Sequence, residues 1–224
     1  MALCINTYLD KQGSYRVVDL GSRCWPRQTS THRDLLEDYD CEYVGVDIKP
    51  GYNVDLVMQE PYRLPLRTNS ADVVLSGQAF EHIPFPWVTM LEIARVLRPG
   101  GHAFITAPSR GHTHDVYDCW RYYPDSFRAL AAFSRLSLLE AHTDFPPLAA
   151  GLRFDYAAIS PQHYWGDSVG VFCKPEKYPE RKARLPRELL IRWANRVANL
   201  HRVPLPPMRP ERAQLDGPRP SAPL

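Results

Sequence analysis

The stretch APSRGHTHDVYDCWRYYPD, residues 107–125, gathers His112, His114, Asp115 and Asp118 behind an apolar run that reads as a strand. An imidazole with an ordinary pKa of about 6.5 can take a proton near neutral pH. His114 as base, oriented by Asp118 or Asp115, is a conventional pair for deprotonating a hydroxyl. His82 in AFEHIP and His163 in SPQHYWGD stand in two other loops and offer the same chemistry.

Plainer uses compete. HTHD can be a solvated polar loop, with His112 mere surface. Asp118-Cys119-Trp120-Arg121 can simply anchor the loop, with Trp120 buried and Asp118 capping backbone N–H groups. His102 and His142 read as structural. Carboxylates and imidazoles together could also hold Mg²⁺, which favours carboxylate oxygens; Mg²⁺ stays open and no metal is assigned.

A second set of residues falls at the ends of β-branched runs. VVDLG puts Asp19 at the exit of one run and Gly21 in the turn after it, where a missing Cβ allows close approach and an unusual φ. YVGVD ends on Asp47, a carboxylate able to accept hydrogen bonds from both hydroxyls of a ribose. Glu60 in QEPYRLPL could accept a hydrogen bond from an adenine amino group. VVDLGSRCW lacks the G-x-G-x-x-G that cradles a pyrophosphate. A ligand with adenosine but no pyrophosphate follows, and three acids converging on one pocket suit a cationic one such as S-adenosylmethionine.

The elements that must position these groups alternate. Residues 15–20, 41–47, 53–57, 71–76, 101–107, 135–145 and 168–174 read as seven strands with helical patterns between them, the signature of a parallel sheet with helices on both faces. Pro86 opens a helix that Pro99-Gly100-Gly101 stops, and Pro124-Asp125 starts another. Only about five residues separate the second and third strands, fewer than the dozen a parallel crossover usually needs, so the third is a stub or its bounds are off. Residues 146–167 read as an irregular excursion.

The organisation expected is a domain over residues 1–175, a basic amphipathic helical extension over 176–202 and a Pro/Arg-rich, disordered tail over 203–224. The helix expected near 186–201 could cover the core, pair with another subunit or lie on a membrane surface. With 224 residues, 44% hydrophobic, and a net charge of +2, the chain is neither wholly disordered nor a strongly basic nucleic-acid binder. Five scattered cysteines without CxxC suit reduced thiols and a cytoplasmic location. No run reaches the ~18 apolar residues of a spanning helix, so no transmembrane segment is expected.

VVDLGS, YVGVD, EPYRLPLRTNSADVVLS, AFEHI and EIARVLRPGGHAFITAP, taken in order, resemble the class I S-adenosylmethionine-dependent methyltransferases, especially the small bacterial type. The resemblance covers about residues 15–175. It implies a Rossmann-like seven-stranded α/β sheet, mostly parallel, with its last strand antiparallel. It also implies cofactor contact by Asp19 to Gly21, ribose binding by Asp47 with Ile48 beside it, adenine-side contact near Glu60 and a cofactor-facing strand end at Ser76. The acceptor pocket would lie between loops after the fourth and fifth strands and before the last, so the candidate catalytic residues are His114, His82 and Asp118. His82 serves either cofactor-site architecture or proton transfer.

The phrase DCWRYYPDSF resembles a subset of these enzymes found beside glycan and saccharide biosynthesis, which points to a saccharide or other small polyhydroxylated acceptor and to no nucleic acid. The alternatives are a nucleic-acid or protein methyltransferase and a non-catalytic partner that keeps the sheet. EPYR follows the third strand, whereas the Asp-Pro-Pro-Tyr box of amino-methylating DNA enzymes follows the fourth. Oligomeric state is not readable from the residues.

Overall fold

The computed structural model describes residues 1–25, 28, 30–111, 117–143 and 165–199. His112, His114, Asp115, His163 and the tail from residue 200 lie outside them, as does most of the 146–167 excursion.

Seven strands form one sheet: β1 (Ser14–Leu20), β2 (Asp40–Asp47), β3 (Leu56–Val57), β4 (Ala71–Gly77), β5 (Leu97–Arg110), β6 (Ser137–Thr143) and β7 (Gly166–Cys173). Their order is β3-β2-β1-β4-β5-β7-β6, with β7 antiparallel to both neighbours and the other pairs parallel. The sheet expected from the sequence, with its final strand reversed, is the sheet found.

Helices cover both faces. On one, α2 (Pro86–Val96) and α3 (Pro124–Ser134) press Met90, Ile93, Phe127 and Leu130 against Val18, Val74 and Ile105. On the other, α1 (Ala2–Tyr8) and a single 3₁₀ turn at Asp34–Leu36 set Ile5 and Leu36 against Val17, Leu75 and Phe104. The central strands therefore read as unbroken apolar runs, because neither face meets water. The last of the described helices, α4 (Glu180–Val197), packs Ile191 and Ala194 beside Val88 and Tyr62.

The short connection from β2 to β3 works because β3 is only two residues long, pairing with Val46 and Asp47. The loop turns back through backbone bonds from Asp55 to Gly45 (2.8 Å) and from Met58 to Asp47 (2.8 Å), while the Asp55 carboxylate accepts the Gly45 N–H (2.7 Å). A Cβ at Gly45 would lie 2.1 Å from the Asn53 carbonyl oxygen, so only glycine lets the returning chain pass.

One loop is tied down from α2. Glu92, fully buried, accepts the Leu64 N–H (3.0 Å) and two bonds from Arg95, whose remaining N–H groups reach the carbonyls of Leu64 (3.0 Å) and Leu66 (2.7 Å). The EIAR phrase thus serves the fold: it holds the segment leading into β4.

Candidate active site

The parallel strands end along one edge of the sheet, and a cavity of about 340 Å³ opens there, inside the ~300–1,000 Å³ range of small-molecule pockets. Its walls are the turn after β1, the end of β2, the bend after β3 and the 3₁₀ turn Phe80–His82 after β4. Ligand sites in open α/β sheets lie at this edge.

Gly21 forms the tight part of the first turn. Its φ is +78°, its N–H donates to the Val46 carbonyl (2.8 Å), and a Cβ there would sit 2.5 Å from the Ala79 methyl. Any larger residue would both strain the turn and push it off the β4 side of the cavity.

Asp47 lines the cavity with its carboxylate fixed from behind. One oxygen accepts the Arg23 N–H (3.2 Å) and the other the Lys49 N–H (2.9 Å). An ionised carboxylate has about four acceptor positions, so each oxygen keeps capacity toward the cavity. Ile48, 55% exposed, joins Met58 and Pro61 as an apolar wall suited to a flat ring.

The other predicted cofactor residues stand further back. Asp19 is buried beneath the turn, where it accepts from the Tyr43 hydroxyl and contacts His32 Nδ1 at 3.0 Å. Burial, then the Asp19 charge, pushes the Tyr43 phenol well up, so it remains a donor. Ser76 is fully buried and donates to the Leu20 carbonyl (2.9 Å), joining β4 to β1. Glu60 turns outward and accepts from Asn195 of α4 (2.8 Å).

The expected convergence of three acids is therefore corrected: of Asp19, Asp47 and Glu60, only Asp47 lines the cavity. The cause is local. Asp19 is consumed by its two partners, and the two-residue β3 releases the chain into a bend that carries Glu60 toward α4. Arg23 and Lys49, which the residue pattern did not flag, add positive charge to the rim.

On the opposite wall, His82 Nδ1 bonds the Tyr117 carbonyl. A carbonyl only accepts, so this nitrogen carries the hydrogen and Nε2 is the basic one. Nε2 lies 3.5 Å from the buried Glu81 carboxyl. Burial raises the Glu81 pKa; His82 and Arg121 act against that rise and Asp118 adds to it. The signal for Glu81 stands in AFEHI, where it directly precedes His82.

Asp118 grips Arg121 as a fork, with Nη2 to Oδ2 at 2.8 Å and a second bond from Nη1 to Oδ1. Trp120 is not buried as its anchoring role predicts: it is 39% exposed, and it anchors through its Nε1–H, shared between the carbonyls of Ile83 (3.0 Å) and Pro84 (3.2 Å). The Cys119 N–H donates to the Glu81 carbonyl (2.7 Å) and the Tyr122 hydroxyl to the Phe80 carbonyl (2.9 Å). DCWRYY thus staples the loop after β5 onto the turn after β4. Among the described residues, no three His, Cys, Asp or Glu side chains gather as a metal site.

Residues 28–105 match the family model described as "Methyltransferase domain". An uncharacterized methyltransferase of Mycobacterium avium is 30% identical over 114 residues, 44% of this chain and 44% of that protein. A S-adenosylmethionine-dependent methyltransferase of Methanosarcina mazei superposes with a TM-score of 0.53 at 12% identity, over 77% of this chain and 98% of that one. The fold is a class I methyltransferase fold. A phosphoethanolamine N-methyltransferase of Haemonchus contortus, solved with S-adenosyl-L-methionine, shares this methyltransferase fold with a TM-score of 0.52 at 15% identity, over 78% of this chain and 52% of that one. The matched stretches span under half the length of the curated relatives, 29%, 21% and 44% in three of them.

Proposed function

We propose that the chain transfers a methyl group from S-adenosylmethionine to a hydroxyl of a saccharide or other small polyhydroxylated molecule. The observation that carries this reading is the pairing, across one cavity, of Asp47 with its apolar wall and His82 with its basic nitrogen.

The cavity fits an adenosyl ligand. Asp47 would accept from the ribose hydroxyls, Ile48, Met58 and Pro61 would flank the adenine, and Gly21 would leave room for the chain between them. Arg23 offers a cation for the methionine carboxylate. Asp19 and Ser76 act from below, holding the turn after β1 and the end of β4 in register. Glu60 contributes through the bend it closes against Asn195.

When bound, the cofactor supplies an electrophilic methyl carbon, and displacement there demands an aligned acceptor. The protein's share is to place that acceptor and take its proton. His82, which lines the cavity, acts as the base through Nε2, and Glu81 stabilises the resulting imidazolium at 3.5 Å. Asp118 positions the loop through Arg121. The stapled loop, with Trp120 and Tyr123 at its surface, offers aromatic faces to a sugar ring.

The test is a labelled-methyl transfer assay over a panel of saccharides and polyols, with calorimetry of S-adenosylhomocysteine binding alongside. Cofactor binding with transfer to a hydroxylated acceptor supports the reading. Cofactor binding with transfer only to amines, nucleic acid or protein would overturn the acceptor class, and no binding would overturn the activity itself.

A further inference from the structure

Helix α4 carries two features that methyl transfer does not use. The first is a row of Leu185, Leu189, Trp193 and Val197, recurring every fourth residue and 68%, 58%, 49% and 40% exposed. Residues four apart are neighbours on a helix surface, so the row is continuous. The buried side of α4, with Ile191 and Ala194, already satisfies the protein core; Trp193 also rests on the Phe85 ring, centroids 5.1 Å apart, and the exposed remainder of the row, led by Leu185 and Leu189, is additional apolar surface.

The second feature is a groove of about 730 Å³ between α4 and the 63–68 segment. Arg67, Arg181 and Arg184 stand exposed around it, and their guanidinium groups make no hydrogen bond or ion pair among the described residues. Charge behind them is also out of balance. Glu188 pairs with Arg63, Glu92 with Arg95 and Glu180 with Lys174. Arg187, only 4% exposed, is left with carboxylate oxygens at 3.6, 3.9 and 4.0 Å, and its Nε and Nη1 have no hydrogen-bond partner. The groove and its rim are therefore net positive.

A hydrocarbon boundary would satisfy the row, and phosphate groups would satisfy the rim. A helix that presents both together has the composition of an element lying in a membrane interface, with basic side chains toward anionic headgroups. A symmetric pairing of two copies would set residues of the row against other residues of the same surface; it would cover the row but would not by itself bring an anion to the arginine rim, as phosphates would. We propose that α4 docks the protein peripherally on an anionic phospholipid surface, Leu185 and Leu189 entering the headgroup boundary and Arg181 and Arg184 meeting lipid phosphates. No described helix is long and apolar enough to cross a membrane, so the contact is lateral.

The test is flotation of the full chain with vesicles of phosphatidylcholine alone or with phosphatidylglycerol added. Binding should follow the anionic lipid and weaken with salt. The double variant Leu185→Glu, Leu189→Glu should lower partitioning by more than about tenfold, and Arg181→Gln with Arg184→Gln by about fivefold for each charge removed. Both pairs are exposed, so melting temperatures should stay near that of the parent, which separates lost docking from lost folding. Absent flotation, equal binding to neutral vesicles, or full binding by both double variants overturns the proposal. So does binding of inorganic phosphate without vesicle binding, which assigns the groove to a soluble phosphate. A dimer abolished by the leucine variants, with no flotation, assigns the row to a second copy.

Discussion

Two buried glutamates, each in contact with a basic residue, are held in different ways. Glu92 and Arg95 bond each other and the backbone of residues 64–66 at ordinary hydrogen-bond distances. Glu81 meets His82 at 3.5 Å, with its carboxyl pushed upward by burial and the histidine among the residues lining the cavity. Saturated geometry marks a strut, whereas a longer contact beside a cavity, with a carboxyl perturbed by burial, is what the proposed proton transfer would use.

The largest effect that would sharpen this contrast lies at His82. His82→Gln should cut methyl transfer by about 10²–10⁴-fold while calorimetry shows little change in S-adenosylhomocysteine affinity. Undiminished turnover would move the base elsewhere, and the same assay on His114→Ala then decides whether that loop supplies it.

Glu92→Ala should give the largest loss of stability, about 3–5 kcal/mol in urea unfolding, because it leaves Arg95 buried without its partner. A loss below about 1 kcal/mol would break the strut interpretation.

Asp47→Ala is expected to weaken S-adenosylhomocysteine binding by about 1.5–3 kcal/mol, the worth of hydrogen bonds to a charged acceptor. Normal affinity by calorimetry would remove its ribose role.

The smallest effect concerns Glu81. A carboxyl whose folded pKa is raised binds extra protons in the native state, so stability falls as pH rises from its ordinary value near 4.5 toward the raised one. Glu81→Gln should flatten that decline and leave the protein relatively more stable near pH 8. Unfolding midpoints across pH 4–8 that run parallel in both proteins would refute it.

The strands were legible because residues buried on both faces write themselves as apolar runs: YRVVDL, ADVVLS and GHAFITA fall within β1, β4 and β5. Prolines and glycines marked α2 and α3 for the same reason of backbone restriction. Elsewhere the signal was tertiary. Helix α1 has seven residues and no side-chain cap, so nothing local announces it. Helix α4 starts at Glu180, not near residue 186, because Pro186 sits on its exposed side, where water can serve the carbonyl it leaves open. Site residues divided likewise. Gly21 and Asp47 were readable from turn chemistry at strand ends, whereas the fates of Asp19 and Glu60 depended on Tyr43, His32 and Asn195, partners 24, 13 and 135 positions away.

The staple between the DCWRYY loop and the 80–84 turn has a consequence for engineering. His82 and Trp120 belong to segments tied together by these hydrogen bonds, so a change in one segment is expected to shift the other. On the proposed function, a graft meant to change the acceptor would transplant both segments together, so that the donor loop keeps the carbonyls that seat it.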